Sequence, residues 1–190
     1  LDGFLTWFWV QDGMVPAYPA VYSGYIEMFG RSYGGDSSDH LRILAGQSLL
    51  FGEQIGWISP RKYLDSPYRA LYRKIARARH EYTRFLSYGR MLRPPVLAGE
   101  IPLISADCAL GDSDRLRCPS AMAALWQRRD TGEKLILLVN LADEAVRVDA
   151  RAEVDETSGT LRGDLSGDIA IDAGRFALEL PAQSVVAIQL

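Results

Sequence analysis

The chain has 190 residues, 48% of them hydrophobic, with 21 Lys and Arg against 24 Asp and Glu and a formal charge of -3. That is enough apolar material for one large domain or two small ones, and the charge balance gives no basic footprint for nucleic acid. Its apolar runs, such as FLTWFWV and LILLV, fall well short of the roughly 20 residues of a bilayer-crossing helix, so no membrane partner is expected.

Leu1 leads straight into FLTWFWV, without an initiator Met, a basic n-region or a small-residue cleavage site. This reads as the C-terminal piece of a longer protein, soluble, with secretion or a periplasmic location of the parent left open. In FLTWFWV, Trp7 and Trp9 flank Phe8 and alternate across an extended chain. Asp12, in VQDGMVP, has the Asp-Gly chemistry of a turn. MVPAYPAVYSG follows, β-branched and aromatic without polar alternation, as in a strand covered on both faces of a parallel sheet. Pro16 and Pro19 cannot donate to a ladder, which confines strand pairing to Ala20 through Ser23.

GRSYGGD has glycines but lacks the lysine and spacing of a phosphate loop. Capping residues Asp36, Ser37 and Ser38 then open a helix whose apolar stripe carries Leu41, Leu44 and Ala45, with Ile43, Leu50 and Phe51 beside it. EQIGWIS is a short strand ending at Pro60. The strongest pattern is SPYRALYRKIARARHEYTRFLSYG, with Ser66 as N-cap, Pro67 in the first turn and Gly89 at the close. Its apolar stripe is Tyr68, Leu71, Tyr72, Ile75, Ala78, Tyr82, Phe85 and Leu86. Arg69, Arg73, Lys74, Arg77 and Arg84 form a solvated face rather than a nucleic-acid surface.

Pro94 and Pro95 mark a boundary, and the period of strands takes over beyond them. AMAALWQRR turns at DTGE into KLILLVNL, which turns at ADE into AVRVDARAEV. There Val146, Val148, Ala150, Ala152 and Val154 alternate with charged residues. DIAID, AGRF and ALELPAQSVVAIQL complete a set of short antiparallel strands suited to a β-sandwich. Cys108 and Cys118 are the only cysteines and carry no disulfide framework. No ligand spacing for a metal is present, and neither metal nor cofactor is expected.

VPAYPAVYSGY, GQSLLFGEQIGW, the long helix running into YGRMLRPP, and LILLVNLADEAVRV with LPAQSVVAIQL together resemble the C-terminal portion of bacterial glycoside hydrolases whose (β/α)8 barrel is followed by a β-sandwich. The resemblance implies an α/β plus all-β fold. Residues 1–97 would be the last βα units of a TIM barrel and residues 98–190 an antiparallel β-sandwich, with the upstream barrel segment of the parent chain as partner and a carbohydrate as substrate. It also implies that Tyr22, Ser23 and Tyr25 reach the sugar-binding rim at the C-terminal ends of the strands, where aromatic faces and hydroxyls suit a sugar.

Glycoside hydrolysis uses two carboxyl groups, and this chain offers few positions for them. Glu53, among Phe51, Ile55 and Trp57, is a desolvated carboxyl and the candidate for proton transfer. Gln54, Trp57 and Asp12 are candidate sugar contacts, Trp57 because Gly56 beside it allows close approach. Asp36 and Asp39 read as helix caps, His40 and His80 as hydrogen-bonded or solvent-facing imidazoles, and Trp126 as core. The alternatives are a carbohydrate-binding or structural module and the tail of an α-amylase-like enzyme. The strand region, with one Trp, one Phe and no Tyr, has little with which to stack sugars and favours a bracing role.

Overall fold

The computed structural model describes residues 17–28, 37–54, 56, 58–107 and 115–190. The FLTWFWV segment, Asp12, the GRSYGGD segment, Trp57 and Cys108 lie outside the described residues.

Helices come first. The expected tyrosine strand is instead helix α1, Ala17–Tyr22. Pro19 is compatible with it because it sits in the first turn, where backbone N–H groups have no intrahelical acceptor. Ser23 N–H closes on the Pro19 carbonyl (3.0 Å), and Gly24, at φ +78°, ends the helix in a conformation that favours glycine. Tyr22 and Tyr25 are consequently exposed, at 47% and 74%, and not interior.

Helix α2 (Ser38–Leu50) begins where the capping residues place it, with Ser37 Oγ accepting the His40 N–H at 3.2 Å. It is buried from His40 to Leu50. A short helix α3 (Pro60–Asp65), capped by Ser59, follows. The long amphipathic pattern divides into α4 (Arg69–Glu81) and α5 (Thr83–Leu86). Ser66 Oγ accepts the Tyr68 N–H (3.1 Å) one turn ahead of α4. The break at Tyr82 coincides with the Thr83 hydroxyl bonding back to the Arg79 and His80 carbonyls, at 3.0 and 2.8 Å, a local competitor that bends helices. Every residue of the expected apolar stripe is buried.

The strands are β1 (Arg90–Leu92), β2 (Val96–Ala98), β3 (Leu103–Asp107), β4 (Arg115–Pro119), β5 (Ala121–Gln127), β6 (Lys134–Asn140), β7 (Val146–Arg151), β8 (Ser158–Gly163), β9 (Gly167–Ala170), β10 (Arg175–Leu180) and β11 (Ser184–Gln189). They make a six-stranded sheet in the order β1-β5-β6-β11-β8-β9, a three-stranded sheet β10-β7-β2 and the pair β3-β4, with antiparallel pairing throughout. Pairing already starts at Arg90, opposite Gln127, so the sheets take in residues on both sides of position 97. The ADE turn is not a hairpin: β6 and β7 belong to different sheets.

That crossing explains two sequence patterns. β7 alternates buried and exposed residues, as a strand with one wet face must. β6 is buried almost throughout because its sheet is covered twice. Leu135, Leu137 and Val139 join one core with α2 and α4, while Ile136 and Leu138 join a second core with Val146, Val148, Phe176 and Leu180 of the smaller sheet. Asn140 of LVNL, wholly buried, holds the turns at this end. Its amide donates to the carbonyls of Glu144 (2.8 Å), Leu180 (3.3 Å) and Pro181 (2.9 Å), and its oxygen accepts the Ala142 N–H (3.0 Å).

Candidate functional site

The segments carrying the candidate residues meet where helices and sheets join. Gln54 N–H donates to the Met28 carbonyl at 2.8 Å, so the chain after α1 and the chain after α2 run side by side. Glu53 precedes this contact. Its side chain is 3% exposed and turns back to α2, where Ser48 Oγ donates to Oε2 at 3.0 Å. Burial pushes its carboxyl from 4.5 up to about 7, and the Ser48 hydroxyl draws it part of the way back.

Beside Glu53 lies a polar cluster built on Arg79. The guanidinium donates through Nε to the Glu53 carbonyl (3.0 Å) and through Nη2 to Gly52 O (3.2 Å), Ser87 Oγ (2.8 Å) and Glu27 Oε1 (3.2 Å). The same Glu27 oxygen accepts from Gln54 Nε2 at 2.9 Å and Ser87 Oγ at 3.0 Å. Burial makes the Arg79 guanidinium hold its proton less firmly, and Glu27 opposes that change. The turn from Gly52 to Gln54 is therefore clamped from both ends of one side chain. Gly52, at φ +73°, is required there: a Cβ would lie 2.6 Å from Leu86 O and 2.8 Å from the Trp126 ring.

The tyrosine segment is anchored separately. Ser23 is buried, its Oγ accepting the Met91 N–H (3.2 Å) and its carbonyl accepting Arg129 Nη2–H (2.8 Å). The Arg129 guanidinium lies 4.9 Å over the Tyr25 ring. Ser23 thus ties α1 to β1 and to the β5–β6 turn, and Tyr22 and Tyr25 lie open beside it with Val21 and Ile26. The structure brings Glu53 and Gln54 into one cluster, and holds Tyr22, Ser23 and Tyr25 in another group against the sheet.

Arg79, Glu27 and Ser87 were not singled out by sequence. One signal was available: Arg79 stands four residues after Ile75 and three before Tyr82, on the apolar stripe, where a charge needs buried partners. Of the remaining candidates, His40 is buried, His80 is exposed, and Asp39 accepts the Tyr68 hydroxyl (2.6 Å) and pairs with Arg42 (3.0 Å). Trp126 is core, its Nε1–H donating to Leu50 O at 2.9 Å. No helix among the described residues is long and apolar enough to cross a membrane.

No family model matches the chain. In sequence it is similar to a putative glycoside hydrolase of Monosiga brevicollis, 25% identical, with 75% of this chain and 14% of that protein covered. In fold it is similar to the maltogenic alpha-amylase AmyB of Thermotoga neapolitana, with a TM-score of 0.56 at 9% identity, over 86% of this chain and 41% of that one. The likeness to glycoside hydrolases read from the residues is thus found again in a sequence relative. The chain spans about 14% of the length of that relative.

Proposed function

We propose that this chain is the C-terminal part of a carbohydrate-cleaving glycoside hydrolase. In it the helical segments form the last βα units of a (β/α)8 barrel, and the strands form an antiparallel β-sandwich that braces them. The observation that carries this reading is the Met28–Gln54 backbone contact, whose two segments are joined through α2. Neighbouring segments linked by a helix are the pattern of a βαβ crossover. The sequence relative supports the activity class. Trp126 and Phe176, the aromatic residues of the strand region, are both buried, which supports a brace over a sugar-binding sheet.

On this reading the pair of carboxyl groups that cleaves the glycosidic bond comes from other barrel strands of the parent protein. Substrate binds at the C-terminal ends of barrel strands, so the sugar-facing residues follow Met28 and Gln54 along the chain. Trp57 is then the sugar platform. Tyr22, Ser23 and Tyr25 precede Met28 and stand towards the opposite end, which revises the rim role the resemblance assigned to them. Glu53, turned to Ser48, positions the Gly52–Gln54 turn rather than exchanging a proton with substrate.

The test is hydrolysis of a panel of nitrophenyl glycosides and polysaccharides by the full-length protein and by Trp57→Ala. Expected are sugar release by the parent and a loss in kcat/KM of about tenfold in the variant, equivalent to about 1.4 kcal/mol of binding, with unfolding unchanged. A parent that cleaves no glycoside overturns the function, and a variant with unaltered kcat/KM overturns the role of Trp57.

A further inference from the structure

We propose that the cleft between the end of α5 and the β5–β6 turn binds a carboxylate-bearing sugar, a uronate residue. The cleft is lined by Arg84, Tyr88, Arg129 and Asp130 and has a volume of about 350 Å3, within the roughly 300–1,000 Å3 of small-molecule sites. None of these residues belongs to the Arg79 cluster.

The charges in the cleft do not cancel. Asp130 pairs with Arg128, Nε to Oδ1 at 3.0 Å and Nη2 to Oδ2 at 2.7 Å, which holds the Asp130 carboxyl below the ordinary carboxylate range; the same guanidinium donates through Nη1 to Glu133 Oε2 at 2.7 Å, so Arg128 serves two carboxylates. Arg129 is held by the Ser23 carbonyl and the Tyr25 ring, neither of which neutralises it. Among the described residues no carboxylate pairs with Arg84 or Arg129. Arg84, Arg128 and Arg129 together outnumber Asp130 and Glu133, so the cleft keeps a net positive charge, and one of its guanidinium groups, Arg129, is already fixed in orientation.

A guanidinium fork recognises a carboxylate through paired N–H donors. Tyr88 adds the second requirement: the residue is 66% exposed beside those cations and offers a flat apolar face of the kind that receives one side of a sugar ring. An inorganic anion would make no use of Tyr88, and a neutral sugar would leave both arginines unanswered. An acidic sugar uses both. The choice of a sugar among carboxylates rests on the glycosidase reading; the demand for an anion does not.

Calorimetric titration of the full-length protein with methyl glucuronide, methyl glucoside and acetate tests the site. The glucuronide should bind at least about tenfold more tightly than either of the others, and high salt should weaken it. Arg84→Gln and Tyr88→Ala should each lower glucuronide affinity by about fivefold or more without moving the unfolding midpoint, since both side chains are exposed. Equal binding of glucoside and glucuronide, acetate binding as tight as the glucuronide, no glucuronide binding, or variants that bind as the wild type would each overturn the proposal. Glucuronide binding lost in both variants, in a protein that cleaves no glycoside, upholds this site and removes the hydrolase reading. Hydrolysis without glucuronide binding does the reverse.

Discussion

Glu53→Gln isolates the effect of burying one carboxyl group. The side chain is 3% exposed and titrates near 7 instead of 4.5, chiefly because burial penalises its charge. Below about 4.5 the group is protonated in both folded and unfolded chains, and it costs nothing. Between 4.5 and 7 the unfolded chain releases the proton while the folded chain keeps it, so stability falls as pH rises. Above 7 both are ionised and the loss is complete. A rise from 4.5 to about 7 corresponds to about 3 kcal/mol. Gln keeps the shape and can still accept from Ser48, but its amide needs new acceptors in the same space, at about 1–2 kcal/mol. The variant should therefore be less stable than the wild type by about 1–2 kcal/mol near pH 4.5 and more stable by a similar amount near pH 8.5. Urea unfolding of both proteins across that range reads the difference. A difference constant in pH, or one moving in favour of the wild type as pH rises, would refute the reasoning. The same pair assayed for hydrolysis should keep kcat within a few-fold, whereas a proton-transferring Glu53 would lose about 100-fold or more.

Arg79→Met strips Gly52 O, Glu53 O, Ser87 Oγ and Glu27 of their shared donor and should cost about 1–3 kcal/mol in urea unfolding, chiefly because buried backbone carbonyls are left without a donor. Glu27→Gln should cost less, because Glu27 remains 35% exposed, and the double variant should cost less than the two single changes together. Asn140→Asp keeps the acceptor for Ala142 N–H but sets a carboxyl against three backbone carbonyls. It should lose about 3 kcal/mol or more at pH 7 and regain part of that at pH 4, where a protonated oxygen can donate. A thermal midpoint lowered equally at both pH values would count against that account.

The elements legible in the sequence are those whose pattern reports burial directly. The stripe from Tyr68 to Leu86, the Ser37 cap and the alternation of Val146, Val148 and Ala150 each fix one face by spacing alone. Ala17–Tyr22 failed because a short apolar run has no period long enough to separate strand from helix, and the Pro19 that argued for a strand edge is equally at home in a first helical turn. The Arg79 cluster stayed hidden for another reason. Glu27, Gln54, Arg79 and Ser87 come from four separate stretches, and only tertiary packing brings them together. Spacing within the sequence has no access to such a group; a charge on an apolar stripe can only announce that partners are needed.

The continuous apolar run of β6 has a consequence for how the halves depend on each other. A strand with one covered face needs a polar residue at every second position, and β6 has none between Leu135 and Val139. Its odd-numbered residues Leu135, Leu137 and Val139 are covered by the helices, and its even-numbered ones by the smaller sheet. Trp126 crosses the same border, its ring against Gly52 and its N–H on Leu50 O, while Arg42 reaches from α2 to the Leu141 carbonyl (2.9 Å) and Lys74 from α4 to Gln183 O (2.9 Å). Removing the helices would uncover the side of β6 that carries Leu135, Leu137 and Val139, at about 1.5–3 kcal/mol for each large side chain exposed. The strands are thus written for a helical partner, and the clamp that Arg79 places on the Gly52–Gln54 turn is held against a sheet that is itself held by those helices.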